Sequence, residues 1–219
     1  MRINKNVRRT EMPPLVELPK RAAVLAAQGA DVIRVDQGAV DLAPPHAFVE
    51  GVVEALADPE THRYTPDPGL PELRAVLSSY AADSFGLGCD PQSEVVVTVG
   101  ANQACYASLT ALVEPGDEVL LPAPWYFNHA MTLTALGGVP VPVPTRSEEG
   151  FAPDPDVVAG LITDLTRGIA LVNPNNPTGV VYQHDLMRRL VEIAIERDLW
   201  ILSDQTYHEL CYGPAPPLS

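Results

Sequence analysis

Two short apolar runs in the second half of the chain, residues 168–172 and 199–202, show no polar alternation and are bounded by polar or turn-forming residues. Runs of this length without alternation are typical of strands buried on both faces, as in parallel sheets. Between them, apolar residues recur at helical spacing within 183–197. The pattern predicts two parallel strands joined by a right-handed helical crossover. The loops after both strands should therefore emerge at one carboxyl edge, where open α/β sheets bind ligands.

The same periodicity along the rest of the chain predicts an α/β protein with a mostly parallel sheet and flanking helices. Glycines mark the expected ends of two helices, at Gly29 and Gly86. Further helices are expected at 17–28, 46–56, 73–85 and 101–113, and further strands at 32–35, 94–99, 118–121 and 139–143.

Composition narrows the class of protein. The chain has 219 residues, of which 46% are hydrophobic, so it can bury a large core. Its 14 lysines and arginines against 28 acidic residues give a net charge of −14, which argues against nucleic acid or a membrane surface as partners. Three cysteines without a CxxC pair predict reduced thiols and a cytoplasmic location. No stretch approaches the ~20 apolar residues of a membrane span.

The two loops at the predicted carboxyl edge carry the candidate chemistry. The first reads Asn173-Pro174-Asn175-Asn176-Pro177-Thr178-Gly179, and the second reads Asp204-Gln205-Thr206-Tyr207. A carboxylate at a strand end can pair with a protonated ring nitrogen, while asparagine and tyrosine can hydrogen-bond a phenolate oxygen. Pyridoxal phosphate carries both of these groups. The first loop is also compatible with a simple turn-rich connection, since asparagine and proline favour turns.

Together the two segments resemble the N-P-x-N-P-T-G and D-x-x-Y motifs of the class I/II aminotransferases, which are fold-type I pyridoxal-phosphate enzymes. Residues 64–74 resemble the family's Y-x-x-x-x-G-x-x-x-L-R signature. The resemblance implies pyridoxal phosphate as cofactor, a homodimer, and amino transfer between an amino acid and a 2-oxo acid. It also implies an N-terminal arm and small-domain segment over residues 1–45. Residues 46–219 would then form a pyridoxal-phosphate-binding large domain that is incomplete at its C-terminus.

The resemblance assigns roles around the cofactor ring. Asp204 would pair with the ring nitrogen, and Asn176 and Tyr207 would hold the ring oxygen. Tyr126, two residues after a proline, would stack on the ring. His129 would lie beneath the cofactor and orient Asp204, although a single histidine is also compatible with a structural role.

The phosphate of the cofactor is assigned to a predicted strand-to-helix turn at Gly100, Ala101 and Asn102. A glycine in such a turn lets backbone amides and the helix dipole converge on an anion. By the resemblance, Tyr64 would reach across a dimer interface to the phosphate of the other subunit. Packing of Tyr64 on its proline-rich loop is the alternative.

Substrate contacts are assigned to Asn176 and to Gly38, which lies with Gln37 in a Q-G segment of the N-terminal arm. In the family this arm closes over the substrate. Gly38 is equally compatible with an ordinary turn. No residue is assigned to a metal.

One part of the family's machinery has no counterpart. The family requires a lysine that binds the cofactor covalently and moves a proton, but the lysines of this chain are Lys5 and Lys20, both before the predicted sheet. The family's substrate-carboxylate arginine also lacks a match. No catalytic residue is therefore assigned, and we expect a fragment, a truncated gene product or a site that a second polypeptide completes.

Two other hypotheses remain open at this point. The chain could belong to another fold-type I enzyme with lyase or synthase chemistry, because the same cofactor cage serves several reactions. It could also be a non-catalytic module that binds the cofactor or an amino acid.

Overall fold

The structure, a computed structural model, describes residues 2–36, 38, 40 and 42–212. Gln37, assigned to the arm by resemblance, lies outside these residues. The α-helices are α1 (Lys5–Arg9), α2 (Leu18–Ala27), α3 (His46–Ala57), α4 (Pro71–Phe85), α5 (Gly100–Leu112), α6 (Phe127–Leu136), α7 (Pro155–Leu161) and α8 (His184–Glu196). The strands are β1 (Glu118–Ala123), β2 (Val139–Pro144), β3 (Thr166–Val172) and β4 (Trp200–Asp204).

The four strands form one parallel sheet in the order β2-β1-β3-β4. The chain moves from β1 to β2 on one side and then returns to place β3 on the other side of β1. In such sheets ligands bind outside the carboxyl ends of the strands, where the strand order reverses. Val172 pairs in register with Asp204, and the amide of Asn173 donates to the Asp204 carbonyl at 3.0 Å. The loops after β3 and β4 therefore start side by side, as the sequence predicts.

Both faces of the sheet are covered. In β1, Leu120 joins a core with buried residues of α7 and α8, while Val119 and Leu121 join a core with α5 and α6. Cys105 of α5 is buried in the second core. A strand between two helical layers has no polar side, which explains why the apolar runs lack alternation.

The prediction of a strand at 94–99 was wrong. Its backbone makes irregular contacts instead: Val97 donates its amide to Pro68 at 2.9 Å, and the carbonyl of Val95 accepts from Nε of Arg74 at 2.8 Å. Val99 is 88% exposed. A strand needs the backbone of a neighbour, and no strand of the described residues lies alongside this segment.

The prediction of a strand at 32–35 was also wrong. The segment is extended but belongs to no ladder among the described residues, and Ile33 and Val35 are more than four-fifths exposed, at 82% and 89%. Its neighbouring side chains Arg34 and Asp36 bond to each other at the surface. β-Branched residues favour extended backbone, but the pairing that defines a strand is not local.

Apolar surface is left exposed on α3, which has no buried residue. Phe48, Val53 and Leu56 along this helix are each more than half exposed. β4 lies at an edge of the four-stranded sheet. Within the described residues, every helix is too short or too polar to cross a membrane.

We expect the isolated chain to self-associate despite its net charge of −14, because an exposed strand edge and an apolar helix face favour association. Sedimentation velocity at increasing protein concentration should show a rising weight-average sedimentation coefficient. Introducing charge with Phe48→Glu and Val53→Glu should reduce the association, whereas Glu54→Gln on the same helix should not. A single monomer boundary at every concentration would contradict this expectation.

Candidate active site

A cleft lies at the carboxyl ends of β3 and β4, against the N-terminal ends of α5 and α6. Its volume is about 190 Å³, below the ~300–1,000 Å³ of complete small-molecule pockets. The described residues thus form part of the walls of such a pocket. The lining residues are Val99, Gly100, Ala101, Asn102, Tyr126, Val172, Asn176, Asp204, Thr206 and Tyr207.

Asp204 ends β4 and places a nearly buried carboxylate in the wall of the cleft. Its Oδ1 accepts from the amide of Thr206 at 3.0 Å and from the Thr206 hydroxyl at 2.6 Å. Its Oδ2 lies 3.2 Å from Nε2 of His129, within ion-pair distance but off the direction of a good hydrogen bond. Burial raises the pKa of Asp204, but the contacts with His129 and Thr206 outweigh burial and hold the pKa below its ordinary value. The carboxylate is therefore charged at neutral pH.

His129 is the charged partner of Asp204. It lies in the first turn of α6, with a side chain that is only 2% exposed. Burial alone lowers the pKa of His129, but its contacts with Asp204 and Cys105 raise it to about 9. The ring of Tyr126 lies edge-on to His129, with centroids 5.4 Å apart. The structure therefore brings His129, Asp204 and Tyr126 into one contact group.

Asn176 and Tyr207 come from different loops and meet at the cleft. Nδ2 of Asn176 donates to Oη of Tyr207 at 3.0 Å. Tyr207 accepts this bond, so its own hydroxyl hydrogen remains available, and Asn176 retains a second N–H. The pair can therefore present two donors to an oxygen atom bound between them.

The other two asparagines of the first loop hold the loop itself. Oδ1 of Asn173 accepts from the amide of Tyr182 at 2.8 Å, and Oδ1 of Asn175 accepts from the hydroxyl of Thr178 at 2.8 Å. Asn173 and Asn175 are buried, and neither lines the cleft. These bonds pair the amide of Tyr182 and the hydroxyl of Thr178, which would cost free energy if they were buried without partners. Nδ2 of Asn173 is buried and has no hydrogen-bond partner among the described residues.

The N-terminus of α5 forms the opposite wall. Gly100 starts the helix with a φ of 75°, in the left-handed region that glycine adopts without strain. No side chain caps this helix. The first amides of a helix have no acceptor within it, so those of Ala101 and Asn102 are available to an anion.

Three assigned residues are not part of the cleft lining: His129, which lies behind Asp204, and Tyr64 and Gly38, which lie away from the cleft. Tyr64 is fully exposed, and Gly38 lies in an exposed stretch of the N-terminal region; neither belongs to the lining of the cleft. The roles that the resemblance gives them, across a dimer interface and over a substrate, stay predictions.

Two polar residues of the site were not predicted from the sequence. Thr206 holds Oδ1 of Asp204 through two bonds, and Asn128 links Asn102 to Tyr126. The pattern Asp-x-Thr could have indicated the first contact, because an aspartate often accepts from the amide two residues on. The bond from Asn128 to Tyr126 is local, but its bond to Asn102 joins two helices and has no local signal.

The polar and aromatic groups of the cleft fit pyridoxal phosphate. A charged carboxylate suits a protonated ring nitrogen, the Asn176–Tyr207 pair suits a ring oxygen, and the ring of Tyr126 offers a stacking surface. The start of α5 suits a phosphate. An α/β fold with this site defines a domain of the fold-type I pyridoxal-phosphate enzymes.

Comparison with known proteins identifies the family. The model of aminotransferase class I and II matches residues 30–218, and the chain belongs to this family. It is 37% identical over 213 residues to a probable aspartate/prephenate aminotransferase of Thermus aquaticus, a match that covers 97% of the chain and 55% of that protein.

Two solved structures are similar to the whole chain. Aspartate aminotransferase from Thermus thermophilus with maleate has a TM-score of 0.90 at 34% identity, covering 100% of this chain and 57% of that one. Alanine aminotransferase from Pyrococcus furiosus has a TM-score of 0.90 at 33% identity, covering 100% and 55%. The chain thus spans about half the length of the relatives it matches. Aminotransferases of this family depend on pyridoxal phosphate.

The ion pair predicts a pH dependence of stability. The folded-state pKa of His129, about 9, lies above its ordinary value of 6.5. Protonated His129 therefore stabilises the fold fully below pH 6.5, and this contribution is lost as the pH rises through about 9. The thermal unfolding midpoint of the wild type should exceed that of His129→Gln at low pH, and the difference should shrink as the pH approaches 9.

The lowered pKa of Asp204 has the opposite sign. Its contribution is present above the ordinary value of 3.8 and is lost as the pH falls below it. The unfolding midpoints of the wild type and His129→Gln should therefore be compared between pH 3.8 and about pH 9. His184→Gln, at a half-exposed position of α8, is the matched control. A His129→Gln effect of equal size at every pH would show that the pair does not titrate as inferred.

Proposed function

We propose that this chain forms the cofactor-binding part of a pyridoxal-phosphate-dependent aminotransferase that moves an amino group between an amino acid and a 2-oxo acid. The observation that carries the proposal is the charged Asp204 carboxylate, fixed by His129 and Thr206 beside the Asn176–Tyr207 pair. A simple turn would not require a buried carboxylate with a charged partner, because burial of charge is costly.

When bound, the cofactor supplies an electron sink for the bonds at the α-carbon of the amino acid. Asp204 would supply the negative charge that favours a protonated ring nitrogen. Asn176 and Tyr207 would hold the ring oxygen, and Tyr126 would offer a stacking surface. The amides at the start of α5 would hold the phosphate.

The remaining assignments follow the same proposal. Residues 46–219 form the large domain, residues 1–45 form the arm and small-domain segment, and Gly38 and Asn176 contact the substrate. The functional enzyme is a cytoplasmic homodimer in which Tyr64 reaches the other subunit's phosphate. The lysine that binds the cofactor covalently comes from polypeptide beyond this chain or from a second polypeptide. The net charge of −14 supports small-molecule partners rather than nucleic acid.

The substrate class is an amino acid with a 2-oxo acid acceptor. Relatives named for aspartate and for alanine share this half of the fold with equal TM-scores of 0.90. The backbone of this half therefore serves more than one amino acid, and selection of the side chain falls to individual residues or to the other half.

Asp204→Asn tests the central assignment. In the complete enzyme this change should lower turnover by several orders of magnitude, because the fixed charge opposite the ring nitrogen is lost. The fold should survive, since a buried histidine can lose its proton once its partner is neutral. Steady-state kinetics with circular dichroism would measure both effects. Asp198→Asn, an exposed position with a φ of 55° that asparagine tolerates, is the control. Unchanged transamination by Asp204→Asn would contradict the role assigned to Asp204.

The lysine count predicts the mode of cofactor binding by this chain alone. The chain should bind pyridoxal phosphate without a site-selective covalent bond and should not transaminate, because Lys5 and Lys20 are exposed and lie outside the cleft. Borohydride reduction followed by peptide mass spectrometry should find no stoichiometric adduct. The double variant Lys5→Arg and Lys20→Arg should bind equally well. One lysine labelled to completion, with amino-acid-dependent conversion of the cofactor to its amine form, would refute this prediction.

A further inference from the structure

The first turn of α6 carries a second polar side chain, Asn128, whose partners differ from those of His129. Nδ2 of Asn128 donates to Oη of Tyr126 at 2.8 Å and to Oδ1 of Asn102 at 3.1 Å. A side-chain amide has two N–H groups, so one nitrogen can serve both acceptors at once. Asn128 thereby ties the start of α5 to the start of α6, on the two sides of the phosphate end of the cleft.

These two bonds decide which groups of Tyr126 and Asn102 accept hydrogen bonds and which remain free to donate. Oη of Tyr126 accepts from Asn128, which leaves the tyrosine hydroxyl hydrogen free to donate elsewhere. Oδ1 of Asn102 also accepts, which leaves the N–H groups of Asn102 free. Both residues line the cleft, where the uncapped start of α5 adds backbone donors. Asn128 therefore turns this end of the cleft into a set of donors suited to an anion.

The same bond restrains the stacking ring. Tyr126 meets His129 edge-on at 5.4 Å, with an interplanar angle of 86°, and its hydroxyl is held by Asn128. The ring contact with His129 restrains the plane of Tyr126, and the bond from Asn128 restrains the position of its hydroxyl. Stacking depends on ring orientation, so a fixed plane favours one orientation of a planar ligand.

We propose that Asn128 is a positioning residue that orients Tyr126 and Asn102 as donors toward the phosphate and ring of the cofactor. This inference rests on the proposed function, since it concerns the same cleft. Asn128 acts through Tyr126 and Asn102, and it is not itself part of the lining.

The test compares pyridoxal phosphate binding by the full chain and by five variants of it. Asn128→Ala removes both donors, Asn128→Asp keeps the shape but replaces the donors by a carboxylate, and Tyr126→Phe removes one acceptor. The double variant Asn128→Ala with Tyr126→Phe tests coupling. Thr132→Ala, one turn further along α6 and without a side-chain hydrogen bond among those described, is the matched control. Quenching of tryptophan emission at low protein concentration gives the dissociation constant.

We expect Asn128→Ala to weaken binding by about threefold to tenfold, the effect of one or two hydrogen bonds. Asn128→Asp should weaken binding at least as much. When Tyr126→Phe is already present, Asn128→Ala should cost clearly less, because the two residues act through a shared bond. The visible circular dichroism of the bound cofactor, which reports its orientation, should fall in Asn128→Ala and stay unchanged in Thr132→Ala. Wild-type affinity and dichroism in Asn128→Ala, or fully multiplicative losses in the double variant, would overturn the proposal.

A measurement without cofactor separates this proposal from the proposed function. Hydrogen exchange followed by mass spectrometry should show faster exchange at the beginnings of α5 and α6 in Asn128→Ala, but not in Thr132→Ala, because the link between these helices is lost. Failure of the wild type to bind pyridoxal phosphate would refute the proposed function, and the exchange data would still decide whether Asn128 links the helices. Unchanged exchange in Asn128→Ala would overturn the positioning role by itself.

Discussion

The candidate site depends on an ion pair between the buried His129 and the nearly buried Asp204. Either charge alone would be costly to remove from water, so each requires the other. Asp204 is placed by the parallel pairing of β3 with β4, and His129 by the first turn of α6. The pair therefore joins the sheet to the helix that carries Tyr126 and Asn128. Its charges also set the electrostatics of the cleft, because Asp204 places a deprotonated carboxylate in the cleft wall.

The other polar groups of the cleft divide into those that face a ligand and those that hold the loops. In the first loop, Asn176 reaches the cleft, while the side-chain oxygens of Asn173 and Asn175 accept bonds that hold the loop. A buried loop after a strand needs such internal partners, since water cannot reach it. Two of the three asparagines in the Asn-Pro motif therefore support the loop, and only Asn176 contacts the cleft.

The sequence predicts the fold where local pattern and tertiary contact agree. β3 was predictable because a strand covered on both faces must be apolar throughout, whereas β4 is only partly buried and was predicted from the apolar run at 199–202. Segments 32–35 and 94–99 have equally favourable residues but form no strand, because pairing requires a neighbour that a local pattern cannot show. The cleft residues in the two loops were found through motif resemblance. Asn128 was missed because its partner Asn102 lies in another element, 26 residues away.

The chain spans about half the length of its relatives, yet its polar groups are already oriented by bonds within the described residues. Thr206 holds Asp204, Asn176 holds Tyr207, and Asn128 holds Tyr126. Such bonds fix dipoles before a ligand arrives, which is the condition for electrostatic stabilisation without later reorganisation. A cleft of about 190 Å³ is small for a complete pocket, so the remaining walls must come from elsewhere. In the enzyme we propose, charge placement therefore belongs to this half of the fold, whereas the lysine that performs covalent and proton-transfer chemistry belongs to the other half.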